Sequence, residues 1–170
     1  MYAALDVQYD DEHRQALAAA VVFRDWLDAE PAAEHTVVCR DIVPYVPGQF
    51  FRRELPCLLT VIQALPKPLT TIVIDGYVQL GDKPGLGMYL WGALDQQIPV
   101  IGVAKTAFHS AWSVEVKRGE SNSPLFVTAV GIDPLQAASD IRRMAGPYRI
   151  PNLLKRVDQL ARTPSPEGDR

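Results

Sequence analysis

The chain has 170 residues, of which 48% are hydrophobic and 22% charged, with a formal net charge of −3. That length and composition suit one domain with a buried core, and the slight acidic excess excludes polyanion binding over the whole surface while leaving room for a local basic groove. No apolar run approaches the ~18 residues of a membrane span, no basic leader opens the chain, and Cys39 and Cys57 lack metal-ligand spacing, so a reduced cytoplasmic protein without a membrane partner is expected.

In chain order, "YAALDVQ" (2–8) predicts a short strand ending at the turn-like "YDDEH". The next segment, "RQALAAAVVFRDWLDAE", is ambiguous: its alanines favour helix, while "ALAAAVVF" reads equally as a buried strand. "HTVVCRDIV", from His35, is β-branched and predicts strand, and Leu58–Leu65 has helical texture up to "PKP". "LTTIVID", Leu69–Asp75, is the clearest strand, stopped by Gly76. Met88–Gln96 predicts a helix, "IPVIGVA" (98–104) a buried strand and "SPLFVTAVGI" (123–132) another. Asp133-Pro134 opens a helix, with Asp as N-cap and Pro at the first helical position. "IPNLLKRVDQLAR" predicts a final amphipathic helix. Early strands followed by alternating helix and strand give an α/β class, a mixed sheet with helices packed on it. A single domain is expected over residues 1–162, with "TPSPEGDR" (163–170) as a disordered tail.

Three acids break apolar settings: Asp6 inside "AALDVQ", Asp75 at the end of "TIVID", and Glu54 in "FRRELP". A carboxylate in or at the end of an apolar strand is unfavourable unless paired or bound to a metal. Two strand-borne aspartates side by side repel, an arrangement tolerated where a hard divalent cation bridges them. The alternative for each acid alone is a turn cap. Upstream, Tyr45 and Val46 stand between Pro44 and Pro47, and prolines fix their own φ and restrict the residue before. The result is a stiff spur, its ring either projecting or packed over the core rim. Arg52 and Arg53 either face phosphates or are ordinary helix-surface charges. Lys83, Lys117, Arg118, Arg142 and Arg143 are further candidates for backbone contacts, and nothing in the sequence gathers them on one face.

Five ordered blocks resemble the endonuclease V family of nucleic-acid repair enzymes: "DVQY" (Asp6–Tyr9), "PYVPGQFFRRELP" (Pro44–Pro56), "VIDG" (Val73–Gly76), "IPVIGVAK" ending at Lys105, and "YRIP" (Tyr148–Pro151). The likeness runs from Asp6 almost to Arg162. It implies a ribonuclease H-like mixed sheet, an antiparallel three-strand meander and then parallel strands, flanked by helices; Ala16–Phe23 is then a second strand. The resemblance also implies metal-binding carboxylates at Asp6, Glu54 and Asp75, a catalytic lysine at Lys105, and a strand-separating wedge at Pro44, Tyr45, Val46 and Pro47. The implied cofactor is Mg²⁺, with Mn²⁺ as a substitute, and the implied partner is DNA or RNA, handled by a monomer without an obligate protein partner. This chemistry agrees with the residues: carboxylate-held metal generates a hydroxide nucleophile and a lysine adds positive charge near the phosphate, although Lys105 read alone is also a solvated strand-end residue. A rigid ridge would let a lesion base leave the stack.

The chain also departs from the family. Where members read Asp-Gly, then His or Asn, then Gly, this sequence has "DGYVQLGDKPGLG", with Tyr77 and Val78, while Gly76, Gly85 and Gly87 permit close backbone approach to a ligand. The family's late-strand "GH" is "GI" here, Gly131-Ile132, so a histidine that assists the metal site is missing. Asp133, by default a helix N-cap, and His109 in "TAFHSAW" are the candidate stand-ins. The family's N-terminal helical extension has no counterpart. The expected function is a Mg-dependent endonuclease that nicks DNA or RNA near deaminated bases such as (deoxy)inosine through a metal-activated water. The alternatives are a nucleic-acid-binding relative that kept the fold without the chemistry, and an α/β assembly module.

Overall fold

A computed structural model describes residues 1–163; the tail expected over 163–170 lies, apart from Thr163, outside the described residues. Strands β1 (Tyr2–Asp10), β2 (Gln15–Phe23) and β3 (Ala33–Arg40) form an antiparallel meander in which Asp6 faces Ala19 and Ala19 faces Thr36. Helix α1 (Phe50–Gln63) leads to β4 (Thr71–Asp75), which pairs parallel to β1. A small hairpin, β5 (Gln79–Leu80) with β6 (Lys83–Pro84), precedes α2 (Leu86–Ala93) and β7 (Val100–Ala104), which is parallel to β4. Then come β8 (Val114–Val116), β9 (Leu125–Val130), α3 (Pro134–Arg143) and α4 (Asn152–Arg162). The main sheet has seven strands in the order β3-β2-β1-β4-β7-β9-β8.

Helices cover both faces. Leu5, Val7, Ile72 and Ile74 pack with Cys57, Leu58, Val61 and Leu90 of α1 and α2. Ala4, Val73, Ile101 and Val103 pack with Ala137, Ile141, Leu153 and Val157 of α3 and α4. Side chains alternate along a strand, so Asp6 continues the face of Ala4, Asp75 that of Val73, and Lys105 that of Val103. This alternation sets the site.

The ambiguous alanine segment is strand, because every residue from Ala18 to Phe23 is buried in an interior strand of a covered sheet, where packing outweighs alanine's helical preference. The parallel strands expected after the meander are β4 and β7, and four details differ from the sequence reading. Helix α1 begins at Phe50, eight residues before Leu58, and runs through Pro56; the missing amide frees only the carbonyl of Arg52, which stands at the exposed surface. The strand from His35 stops at Arg40, where Asp41 turns to φ 54°. The hairpin of β5 and β6 and the short β8 were not anticipated. The closing strands are not parallel: β9 runs antiparallel to β7, and β8 antiparallel to β9.

Candidate active site

Strand register places two acids side by side. Leu5 of β1 lies opposite Ile74 of the parallel β4, so Asp6 and Asp75 are neighbours where β4 ends and β1 runs on. Asp75 pairs with Val103 of β7, and Lys105 follows two residues later on the same face. Asp158 approaches from α4, and Asp6, Asp75, Lys105 and Asp158 line one cavity of about 40 Å³ walled by Ile150 and Leu154. That volume suits an ion and a water or two, and is too small for a nucleobase. Glu54, from the first turns of α1, is 6% exposed, and its Oε2 has no hydrogen-bond partner.

The electrostatics report crowding of negative charge. Burial, then the charges of Asp6 and Asp75, push Glu54 up to about 8. Asp6 is pushed up to about 7 by burial first and Asp75 second, with the Asp158 carboxyl adding to the rise. For Asp158 burial acts upward, but hydrogen bonds from Arg162 and Asp6 prevail and hold it below the ordinary carboxylate range. Asp75 stands at an exposed strand end, yet the walls around its carboxyl raise its pKa, with Lys105 opposing. Such a group is relieved by protons or by a cation.

A hard divalent cation fits this donor chemistry, four carboxylates of which one has a buried, unpartnered oxygen. The cage is not closed, however: among the described residues no three Asp, Glu, His or Cys side chains are grouped so as to hold a metal ion.

A second cavity, about 490 Å³, shares Asp75 with the first and is within the size range of ligand pockets. Its walls include Phe51, stacked on Tyr89 with ring centroids 3.8 Å apart, together with Tyr77, Phe108, Gly76 and Gly85. The spur stands nearby. Tyr45 is 58% exposed, which excludes a ring packed on the core rim. Gly48, at φ 77°, turns the chain into α1, and both it and Phe50 line the cavity.

Several expected site residues lie elsewhere. Arg53 is buried, pairs with Asp11 at 2.7 Å and stacks over Tyr9 at 3.8 Å, so it does not face solvent phosphates; Arg52 is exposed. Arg118 is also buried, and Arg143 pairs with Asp140. Gly87 is absent from the cavity wall: a Cβ there would come within 2.6 Å of Val78, so its missing side chain makes room for that valine. Asp133 caps α3, accepting from the Leu135 amide at 2.8 Å. Because β9 is antiparallel to β7, Gly131, Ile132 and Asp133 follow Val130 at the end of the sheet where β7 begins, away from Asp75. His109 is exposed in the loop after β7 and lines neither cavity. Asp158 was missed altogether. Its only sequence signal is a place beside the buried Leu153, Val157 and Ala161 stripe of α4.

A mixed sheet of this order, with acids on its first and fourth strands and a lysine just past the next parallel strand, is ribonuclease H-like. The comparisons narrow it further. A model of the endonuclease V family matches residues 1–144, and the chain belongs to that family. The endonuclease V of Streptomyces avermitilis is 34% identical over 93% of this chain and 77% of its own, and that of Streptomyces coelicolor 35% identical over 93% and 76%. The crystal structure of the Streptomyces avermitilis protein superposes with a TM-score of 0.77 at 33% identity, covering 95% of this chain and 79% of that one. Endonuclease V of Ciona intestinalis, solved with a 24mer DNA containing an inosine followed by a ribo-adenosine, has a TM-score of 0.77 over 95% of this chain and 83% of that one; at 17% identity the likeness is one of fold.

Proposed function

We propose that the protein is a Mg²⁺-dependent endonuclease that nicks DNA or RNA near deaminated bases such as (deoxy)inosine, acting as a monomer. The observation that carries this reading is the gathering of Asp6, Asp75, Asp158 and Lys105 around one ion-sized cavity in a member of a nuclease family. Asp6, Glu54 and Asp75, with Asp158 as a fourth acid, would hold Mg²⁺, for which Mn²⁺ would substitute. The bound ion would supply an activated water and neutralise charge on the scissile phosphate. Lys105 places a second positive charge beside the same phosphate. The aromatic cavity receives the displaced base by stacking, and the Pro44–Pro47 spur, with Tyr45 and Val46 exposed, separates it from its neighbours.

The test is cleavage of labelled inosine-containing DNA and RNA, against undamaged controls, with Mg²⁺ or with chelator. Asp6→Ala and Asp75→Ala should lose at least about a thousandfold in rate. No cleavage by the natural protein, or equal cleavage by the variants, would reject the assignment. One observation favours a second reading, a binding relative without turnover: the carboxylates do not close on a common ion. Metal-independent binding with zero turnover on every strand tested would establish that reading instead.

A further inference from the structure

Tyr77 follows Asp75 and Gly76 and stands beside the point where the two cavities meet. Its phenol is used twice. Oη donates to the carbonyl of Thr106 at 2.8 Å and accepts from the amide of Phe108 at 3.1 Å. A phenol has one proton to give, so both bonds together leave Tyr77 no donor for a ligand. The ring meanwhile walls the aromatic cavity, 6.2 Å from the ring of Phe108 on the same wall.

The tethered segment begins at Lys105, whose side chain lines the acid cavity. It is seated a second time at its far end. Gly81, in the hairpin turn between β5 and β6, has φ +66°, and a Cβ there would lie 2.8 Å from the Ser110 carbonyl oxygen. The stretch that follows Asp75 therefore clasps Thr106, Phe108 and Ser110 by two hydrogen bonds and one close steric approach, while the guanidinium of Arg149 holds the Lys105 carbonyl.

We infer that Tyr77 is a positioning residue that ties the base pocket to Lys105. One face of the side chain contacts whatever fills the pocket, and its oxygen holds the backbone from which Lys105 reaches the acids. An occupied pocket fixes the ring, and a fixed ring fixes the loop. Cleavage then depends on the base beyond mere affinity for it. The inference rests on the proposed nuclease function, but its physical half is separable from that reading.

The experiment is a double-mutant cycle in single-turnover cleavage of an inosine oligonucleotide, with binding measured separately in chelator. Tyr77→Phe keeps the ring and removes both hydrogen bonds. It should bind within about twofold of the natural protein and cleave about tenfold more slowly. In a Lys105→Ala background the same change should have no further effect. Gly81→Ala, which crowds Ser110, should also slow cleavage without weakening binding. Natural-rate cleavage by Tyr77→Phe overturns the inference, as does an equal effect with or without Lys105, or a loss of binding that accounts for the whole rate change. Hydrogen exchange of the Phe108 amide gives a readout that needs no catalysis: in Tyr77→Phe it should rise about tenfold, even if the protein cleaves nothing. An unchanged exchange rate removes the clasp, whereas an inert natural protein with the expected exchange removes only the nuclease reading.

Discussion

Glu54 is the least favourably buried side chain of the site. It is 6% exposed, one oxygen lacks a partner, and its pKa is pushed up to about 8 by burial and by two neighbouring acids. The folded value lies above the unfolded one near 4.5, so the metal-free folded state holds a proton that the unfolded chain has released. Its stabilising contribution is complete below about pH 4.5 and is lost as pH rises through about 8, and Asp6, up to about 7, acts in the same direction. In chelator, therefore, the melting temperature should fall between about pH 5 and 8, and Glu54→Gln should melt about 5 °C above the natural protein at pH 8 while matching it near pH 4. Adding Mg²⁺ at pH 8 should recover much of the difference for the natural protein alone; identical pH profiles for the two proteins would contradict this. At the same scale, Asp6, Glu54 and Asp75 are legible in the sequence because each interrupts apolar text. Asp158 is not, because among Lys155, Arg156 and Arg162 it resembles the solvated face of an amphipathic helix, and only the packing of α4 on β1 and β2 brings it to Asp6.

At the scale of elements, the parallel pairing of β4 with β1 and with β7 positions the acids. Gly102 sits in β7 where a Cβ would lie 2.5 Å from the Gly76 carbonyl oxygen and 2.8 Å from Thr128 Oγ1. That hydroxyl accepts the Val78 amide at 2.9 Å, so the segment leaving Asp75 is held close against β7. Gly102→Ala should destabilise the fold by about 1–3 kcal/mol, since neither backbone can yield without disturbing the sheet. It should also reduce cleavage in conditions where the variant remains fully folded, because Asp75 and Gly76 must shift. Thermal melting and single-turnover rates separate the two effects; an unchanged rate would mean that Asp75 tolerates the displacement. The strands themselves were largely readable from β-branched runs and from Gly76 as a stop. What escaped were elements too short for a periodic signal, the two-residue strands β5 and β6 in glycine-rich text, and the first turns of α1, hidden by a proline that the helix accommodates.

Across the whole molecule, Arg118 joins the two halves of the α3/α4 layer. Although 7% exposed, its guanidinium donates to the carbonyls of Arg142, Met144, Gly146, Tyr148 and Arg149, the connection that carries α4 and so Asp158. Lysine has three donors without the planar fork. Arg118→Lys should destabilise the protein by about 3 kcal/mol and lower its melting temperature by roughly 10 °C, measurable by calorimetry; a shift below one degree would show that the clamp is dispensable. From sequence Arg118 stood among the candidates for nucleic-acid contact, since a lone "VKRGE" carries no sign that five carbonyls will converge on it. The α/β class and the antiparallel meander were legible, the meander through family resemblance. Which strand end faces Asp75, and hence why Ile132 and Asp133 lie away from it, depends on the antiparallel return of β9, which no local pattern encodes.

The most direct test is anomalous diffraction from a crystal soaked in Mn²⁺. A single strong peak within coordination distance of Asp6 and Asp75, with Glu54 or Asp158 as a further ligand and absent in Asp6→Asn, is the expected result. No peak at these carboxylates at millimolar Mn²⁺ would contradict a metal-dependent nuclease.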